Sequence, residues 1–472
     1  MVETILQQLT SRKTSNVLVA LNIIVSFTVF FFASKNFFPD ERGYILLGES
    51  FRHGTTFSSW YFLSTPLPET LRTWGYPYFL FLAQSMFDSL MFVKVIQFLF
   101  YLASVWLCWR LISQFTNSIL SINIFLLLSV INIQVPYYAG LIAAESLCVF
   151  FTLLYFYLLA KQMTQTLTLR EAILWGVIAF INFQLRPAFI VIPFMTAVFL
   201  IFDSFRRHRT VAVGHLLIFI VGLMPFAFWN LKHHQVFKLT PLQGGAGVTH
   251  IGYWAYLLPP NYRENFLWSN NVGDDVFMNL VAERSPTHVV EFENEWAQIK
   301  AGASLFLTKN DSAILSTMEQ RNPGIFITYN SQYTLAQEKL LWHYTLQHIS
   351  ERPFFFIKTR LISACRVWFT GINKSQWQES HGVTGKLKIL APFLITFTFI
   401  FGGILYVTWS LARSKKLFRK YGIYLGLILI WGACHSIFAI QARYGVPMHL
   451  IILVLVASIS AELRSKPQFK QA

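Results

Sequence analysis

The chain has 472 residues, of which 54% are hydrophobic and only 13% charged, and its mean hydropathy is +0.48. This composition excludes an ordinary soluble core and a disordered polymer, and indicates an integral membrane protein. The formal net charge of +16 comes from short basic clusters beside apolar runs, which is membrane anchoring and argues against nucleic-acid binding.

Ten apolar runs are long enough to cross a hydrocarbon layer of ~30 Å with some tilt: about 17–34, 90–112, 118–133, 137–160, 170–185, 187–203, 210–230, 387–411, 421–441 and 444–462. Those at 118–133, 170–185 and 187–203 are short. The first ends in Phe38-Pro39-Asp40, which lacks the small-residue pattern of a cleavage site, so it is read as a retained span. Adjacent carboxylates, Asp40 and Glu41, stand directly beyond it. Residues 41–54 suit a helix with Asp40 as its N-cap, but capping accounts for one carboxylate and not for the pair. Residues 75–88 are apolar yet too short to cross.

Farther along, Glu145 is expected about two turns into the span that begins at Tyr137, and Arg186 sits between two spans in Leu185-Arg186-Pro187. Residues 231–386 are the one long hydrophilic stretch, and 261–351 holds eleven of the twenty-two acidic residues. A small, helix-rich soluble domain is expected there. Residues 353–371 mix Phe354, Phe355, Phe356, Leu361, Val367, Trp368 and Phe369 with Lys358, Arg360 and Arg366. That pattern predicts an interfacial helix, apolar face down and basic side chains up, or else a re-entrant one. Arg443 opens the last span in Ala442-Arg443-Tyr444.

Basic clusters set the orientation. Arg12 and Lys13, Arg110, Lys161 and Arg170, Arg206, Arg207 and Arg209, Arg413 to Lys420, and Arg464, Lys466 and Lys470 alternate as ten spans with both termini inside require. The opposite face then receives 35–89, 134–136, 186, 231–386 and 442–443. The chain divides into a membrane part (1–230) whose first outer loop is 35–89, an outer-face segment (231–386), and C-terminal spans with a cytoplasmic tail (387–472). No internal repeat is evident.

Cys108, Cys148 and Cys434 lie in expected spans and Cys365 is alone, so no disulfide framework is implied. His233-His234 are adjacent, which is poor spacing for one ion, and no other cluster has ligand spacing; no metal site is expected. The run Gly244-Gly245-Ala246-Gly247 suits a hinge or a phosphate-wrapping loop. Asp40, Glu145, Arg186 and Arg443 all project to one face. A charge at membrane depth is costly unless paired or wet, so these are the functional candidates. The plain alternatives are that Glu145 pairs with Lys94 or Arg186 to join helices, and that the arginines are snorkelling anchors.

The stretch from Asp40-Glu41-Arg42-Gly43-Tyr44 to Gly54 resembles the first outer loop of polytopic glycosyltransferases that use polyprenyl-phosphate sugars, the GT-C superfamily of protein O-mannosyltransferases, aminoarabinose transferases and lipopolysaccharide-core transferases. Arg72-Thr73-Trp74-Gly75-Tyr76-Pro77 is similar to that family's basic residue and Pro-Gly-Tyr-Pro-like turn, with Trp74 where a proline is usual. Glu145, Arg186-Pro187 and Arg443-Tyr444 follow in the family's order. The resemblance implies an all-α polytopic fold of about ten or more transmembrane helices with a small outer-face domain and interfacial helices. It implies sugar transfer from a polyprenyl phosphate to a hydroxyl of a glycan, lipid or protein, with inversion. Asp40 and Glu41 would be catalytic; Arg186, Arg443 and Arg72 would hold the donor phosphate; Tyr44, Glu145, Tyr76 and Tyr444 would bind substrate. No cofactor is expected, and the membrane would be a bacterial inner membrane with the site facing the periplasm or exterior. The competing class is a transporter or flippase of lipid-linked glycans, which usually places its polar groups near the midplane within paired repeats.

Overall fold

A computed structural model describes residues 8–63, 65–165, 167–202, 207–243, 245–260, 262, 274–309, 311, 330–438 and 441–465. Arg206, Gly244, Lys466, Lys470 and parts of the 261–351 stretch lie outside these, as does the side chain of Arg207. The protein is helical: among the described residues the only extended pairing is one bridge between Asp275 and Asn373.

The helices run in the order α1 (Arg12–Ala33), α2 (Glu41–Arg52), α3 (Gly75–Met86), α4 (Leu90–Phe115), α5 (Ile119–Ile131), α6 (Gln134–Ala139), α7 (Glu145–Thr164) and α8 (Leu169–Leu185). A 3₁₀ turn at Pro187–Ile190 leads into α9 (Val191–Phe202), followed by α10 (Arg207–His234). The polar segment contributes α11 (Ala246–Trp254), α12 (Pro286–Ser304), α13 (Ser331–Glu351), α14 (Pro353–Arg366) and α15 (Lys374–Glu379). The chain closes with α16 (Gly382–Ile395), a π segment at Thr396–Phe401, α17 (Gly402–Ala412), α18 (Lys415–Ser436) and α19 (Val446–Ser465).

Seven helical stretches among the described residues are long and apolar enough to cross a membrane: Arg12–Ala33, Leu90–Phe115, Glu145–Thr164, Arg209–His234, Gly382–Ala412, Lys415–Ser436 and Val446–Arg464. Two further apolar helices, Ile119–Ile131 and Pro187–Phe202, are shorter, and α8 has 17 residues. These three are the runs that were short in the sequence. The apolar run 137–160 is not one helix. It breaks into α6, a buried non-helical stretch at 140–144, and α7, so Glu145 is the first residue of a helix and not two turns inside one.

α19 is the most enclosed of the seven and packs on α4, α5, α7 and α17. Around it the apolar sequence alone gives no specificity, because lipid is as apolar as leucine, and small polar contacts supply it. On α1 the buried side chains Ser15, Leu18, Asn22, Ser26, Phe30 and Ala33 recur every three or four residues and form one stripe. Within that stripe Asn22 Nδ2 donates to Ser129 Oγ on α5 at 2.6 Å, and Tyr101 on α4 donates to Asn22 Oδ1 at 3.2 Å. On the other side of the core Asn182 Nδ2 donates to Thr152 Oγ1 at 2.8 Å and so ties α8 to α7. The helix starts are capped from the sequence: Thr168 and Glu171 form a reciprocal capping box at α8, and Ser89 accepts from Phe92 N–H at α4.

The polar segment carries small apolar clusters of its own. Tyr253, Trp254, Tyr256, Leu257, Met278, Phe292 and Phe355 form one, and Ala246, Ile299 and Leu341 form another. α14 corrects the expected orientation of the 353–371 stretch. Phe354, Ile357 and Leu361 are exposed along one face, but Arg360 and Arg366 turn inward. Arg360 donates to the carbonyls of Ser436 and Ile437 at the end of α18 and to Gly252 O, at 2.8–3.0 Å. Arg366 Nε donates to the buried Asp275 carboxylate at 2.8 Å. Carbonyls left over at a helix end need donors, and a guanidinium supplies several at once. That demand outweighs the pull of the interface on these two side chains.

Candidate active site

Five charged side chains separated by up to 403 residues meet at one end of the bundle. Asp40 sits at the N-cap position of α2, yet its carboxylate makes no cap hydrogen bond. Instead it is held between two guanidinium groups: Arg443 Nη1 donates to Oδ2 at 2.8 Å and Arg72 Nη2 to Oδ1 at 3.3 Å. Arg186 Nη2 donates to Glu145 Oε1 at 2.9 Å, and Arg443 Nε lies 3.9 Å from the same oxygen. Arg443 therefore stands between the two carboxylates. Its Nε is buried and has no hydrogen-bond partner among the described residues.

Each member is delivered by a specific local device. α2 begins at Glu41 immediately after Asp40, so the helix start fixes the Asp40 backbone. Arg72 crosses the face of α2 at Gly43, where a Cβ would stand 3.0 Å from its guanidinium carbon; only glycine leaves that path open. The Arg72 loop is braced by Glu69, whose carboxylate accepts from Leu71 N–H at 2.9 Å and Arg72 N–H at 3.3 Å. The same loop is pinned to the end of α8, since Thr73 donates to Gln184 O at 2.7 Å and Trp74 N–H to Gln184 Oε1 at 3.2 Å. Arg186 caps α8 in extended conformation, and Pro187 forbids the helix to continue through it. Glu145 reaches the cluster because the chain is broken at 140–144. Gln97 on α4 stabilises that break by donating to Ala139 O at 3.1 Å and Leu141 O at 2.6 Å.

Aromatic rings line the arginines. Arg72 lies over Tyr44 at 5.3 Å, Arg186 over Tyr444 at 5.2 Å, and Arg443 over Phe38 at 4.9 Å. Such faces stabilise a guanidinium without neutralising it. The electrostatics follow from this packing. Burial opposes ionisation of Asp40, but Arg443 and then Arg72 outweigh it and hold the carboxyl below its usual value. Burial, and then Asp40, push the Tyr44 phenol up to about 12, so it stays neutral. Burial works against the charge of Arg72, and Glu69 and Asp40 restore it.

The sequence candidates divide accordingly. Asp40, Arg72, Glu145, Arg186 and Arg443 form the network, with Tyr44 and Tyr444 against it. Glu41 is buried and turns back to accept from Phe38 N–H at 3.3 Å. Tyr76 is buried, donates to Gln97 at 2.6 Å and packs edge-on to Tyr44, which places it behind the site. Lys94 does not partner Glu145; it donates to Ser34 O at 2.8 Å. Of the His233-His234 pair, the buried His234 hydrogen-bonds through Nε2 to Glu69 O at 3.1 Å and through Nδ1 to Ser331 Oγ at 2.7 Å. It thereby joins α13 of the polar segment to the Arg72 loop. Glu69, Gln97 and Gln184 were missed in the sequence, because nothing in their neighbours marks a residue that braces a loop.

No protein-family model matches this chain, and no curated protein matches it. Solved structures of two proteins align with it over most of its length. The oligosaccharyltransferase of Archaeoglobus fulgidus, solved with a tethered acceptor peptide, aligns over 96% of this chain and 50% of its own, at 11% identity and a TM-score of 0.48. ArnT from Cupriavidus metallidurans, solved with undecaprenyl phosphate and in the apo state, aligns over 93–94% of this chain and 77–78% of its own, at 10–11% identity and TM-scores of 0.37 and 0.38 with and without that lipid. The chain spans about half the length of the archaeal enzyme. At these identities the likeness concerns the helical layout; the chemistry is argued from the side chains.

Proposed function

We propose that this protein is a membrane glycosyltransferase that moves a sugar from a polyprenyl phosphate to an acceptor hydroxyl at the outer end of its helical bundle. The observation that carries this reading is the shared position of Arg443, bonded to the Asp40 carboxylate on one side and presenting on the other an Nε that makes no hydrogen bond among the described residues. Asp40 is the general base. It takes the proton as the acceptor oxygen attacks the anomeric carbon, and the carbon–oxygen bond to the donor phosphate breaks on the opposite face. A single displacement with one base inverts the anomeric centre. The departing lipid phosphate gains one negative charge, which Arg443 and Arg186 stabilise through charge-assisted hydrogen bonds.

The resting network adds a coupling between donor and base. While Arg443 is bonded to Asp40 the carboxylate is a weak base. A phosphate that draws Arg443 toward itself loosens that bond and raises the basicity of Asp40 when a donor is present. Glu145 holds Arg186 in place, and Arg72 keeps Asp40 oriented after Arg443 has turned. Acceptor identity, whether glycan, lipid or protein, and the sugar itself are read from the cell. Mass-spectrometric profiles of surface glycans and glycolipids are compared with and without the protein, and with Asp40→Asn in its place. The expected result is one missing sugar in the deletion, restored by wild type and not by D40N, with a drop of about 10²–10⁴-fold in purified transfer. D40N activity within threefold of wild type removes the base assignment. Lipid-linked glycan flux across vesicles without covalent product points to the transporter class instead.

A further inference from the structure

The polar segment holds a second cluster of chemically capable side chains. His250 on α11, Glu295 on α12 and His348 on α13 converge from three helices, with Glu295 45 residues after His250 and 53 before His348. Each imidazole directs Nε2 at a different oxygen of Glu295: His348 reaches Oε2 at 2.6 Å, and His250 contacts Oε1. One potential ligand atom from each residue lies within 4.8 Å of the other two. His250 and Glu295 are buried, and His348 is largely so. The rings are fixed by aromatic neighbours. Tyr253 stacks on His348 at 4.7 Å, and Trp254 meets it edge-on at 5.2 Å. Phe292 and Trp296 lie 6.0 and 6.5 Å from His250.

The proton arrangement at this spot is unusual. The Trp254 indole N–H, a donor only, is 3.2 Å from both His250 Nε2 and Glu295 Oε1. If it serves Nε2, that nitrogen is bare, and two lone pairs face each other in contact. Nδ1 is buried without a hydrogen-bond partner among the described residues whichever nitrogen carries the proton. A cation seated between Nε2 and Oε1 satisfies both facing lone pairs. The donor set is also that of a zinc centre, two imidazole nitrogens and a carboxylate, with metal–ligand distances near ~2.1 Å and ligands separated by roughly 3.3–3.5 Å. The His348 contact opens to that spacing by a shift of under about 1 Å. Behind His348, Glu351 Oε2 lies 4.0 Å from Nδ1, beyond hydrogen-bond distance.

We propose that His250 Nε2, the Glu295 carboxylate and His348 Nε2 bind one divalent zinc-type ion, whose fourth ligand is a water. This departs from the sequence-based expectation of no metal. The adjacent His233-His234 pair drew attention there, whereas these ligands are dispersed along the chain. The ion pins α11, α12 and α13 together. α13 continues from it to the Arg72 loop, where Ser331 meets His234, itself bonded to Glu69 O, and where Gln243 bonds Thr334 on one side and Thr70 O on the other. The three ligands are thus positioning residues for the Arg72 loop.

The test uses the untagged full-length protein purified in detergent without chelator. Total metal analysis is expected to give about one zinc per chain in wild type, and less than a tenth of that in Glu295→Gln and His348→Gln. Because a variant that unfolds the segment loses metal trivially, wild type also carries an independent readout. After chelator stripping, cobalt is expected to give the intense visible absorption of a four-coordinate nitrogen–oxygen site. Zinc at roughly 100 times its Kd is expected to raise the melting temperature by a few degrees. Wild type that holds no zinc as purified, gives no cobalt absorption and shows no zinc-dependent melting shift overturns the proposal, and the triad is then a proton-sharing hydrogen-bond relay.

Discussion

Arg443→Lys and Arg443→Ala probe the centre of the proposed mechanism. Arg443 faces two carboxylates at once, Asp40 through Nη1 at 2.8 Å and Glu145 across 3.9 Å from Nε. Lysine keeps the charge, but a single ammonium on a flexible stem cannot hold the fork that spans both. The loss is about one charge-assisted hydrogen bond, roughly 1.5–3 kcal/mol. At 1.4 kcal/mol per decade this predicts a fall of about 10- to 150-fold in kcat/KM for R443K. R443A removes the charge as well, and the loss of a donor to developing negative charge predicts a fall of about 10²–10³-fold. It also strips Asp40 of its shorter ion pair, leaving Arg72 at 3.3 Å, so the acidic limb of the pH–rate profile moves upward. The assay is transfer from a labelled polyprenyl-phosphate sugar by purified protein, with polyprenyl-phosphate binding measured alongside by native mass spectrometry. R443K within threefold of wild type, or R443A with unchanged lipid-phosphate binding and an unmoved acidic limb, refutes the phosphate role and leaves Arg443 a membrane anchor.

In wild type the depressed Asp40 pKa predicts an acidic limb of kcat/KM below the ordinary aspartate value of ~3.9. The Asp40 ion pairs contribute stability that is fully present above that unfolded value and is lost as pH falls through the lower folded value. The limb in kcat, which reports the donor-bound enzyme, is expected at higher pH than that in kcat/KM; coincident limbs contradict the coupling through Arg443. Gly43→Ala places a methyl 3.0 Å from the Arg72 guanidinium, and is expected to lower activity about tenfold while leaving the melting curve nearly unchanged. Gly371→Ala would put a Cβ 1.7 Å from Asp275 Oδ2 and 2.0 Å from Arg366 Nη2. Breaking that buried ion pair is expected to cost about 3–5 kcal/mol, read as a lower melting temperature; an unshifted curve contradicts the assignment.

The membrane spans and the charged cluster were legible in the sequence for different reasons. Apolar length is a local property, so seven of the expected runs reappear as helices long enough to cross, and the three marked as short reappear short or at the limit. The charges Asp40, Glu145, Arg186 and Arg443 were legible because their placement is costly without a purpose. What could not be read is pairing. Nothing near Asp40 says that its partners lie at Arg72 and Arg443, and capping gave a local account of Asp40 alone, though not of the pair. The break before Glu145 was hidden because residues 140–144 are as apolar as a span; its cause is an amide on another helix. The inward turn of Arg360 and Arg366 was missed for the same reason, since composition cannot tell a basic residue that seeks water from one that answers a row of carbonyls. His250, Glu295 and His348 have no spacing rule at all.

The break at 140–144 decides where Glu145 stands on its helix. Its five residues are Gly140, Leu141, Ile142, Ala143 and Ala144, all buried, and none contributes a polar side chain. Were they to rewind into helix, Glu145 would follow the screw of α6 and lose the heading that the break now gives it. Gln97 opposes the rewinding by occupying the carbonyls of Ala139 and Leu141 that a continuous helix would reclaim. The break that aims an acidic group is thus held by an uncharged residue on a neighbouring helix, and substituting Gln97 by leucine would free both carbonyls without altering a single charge.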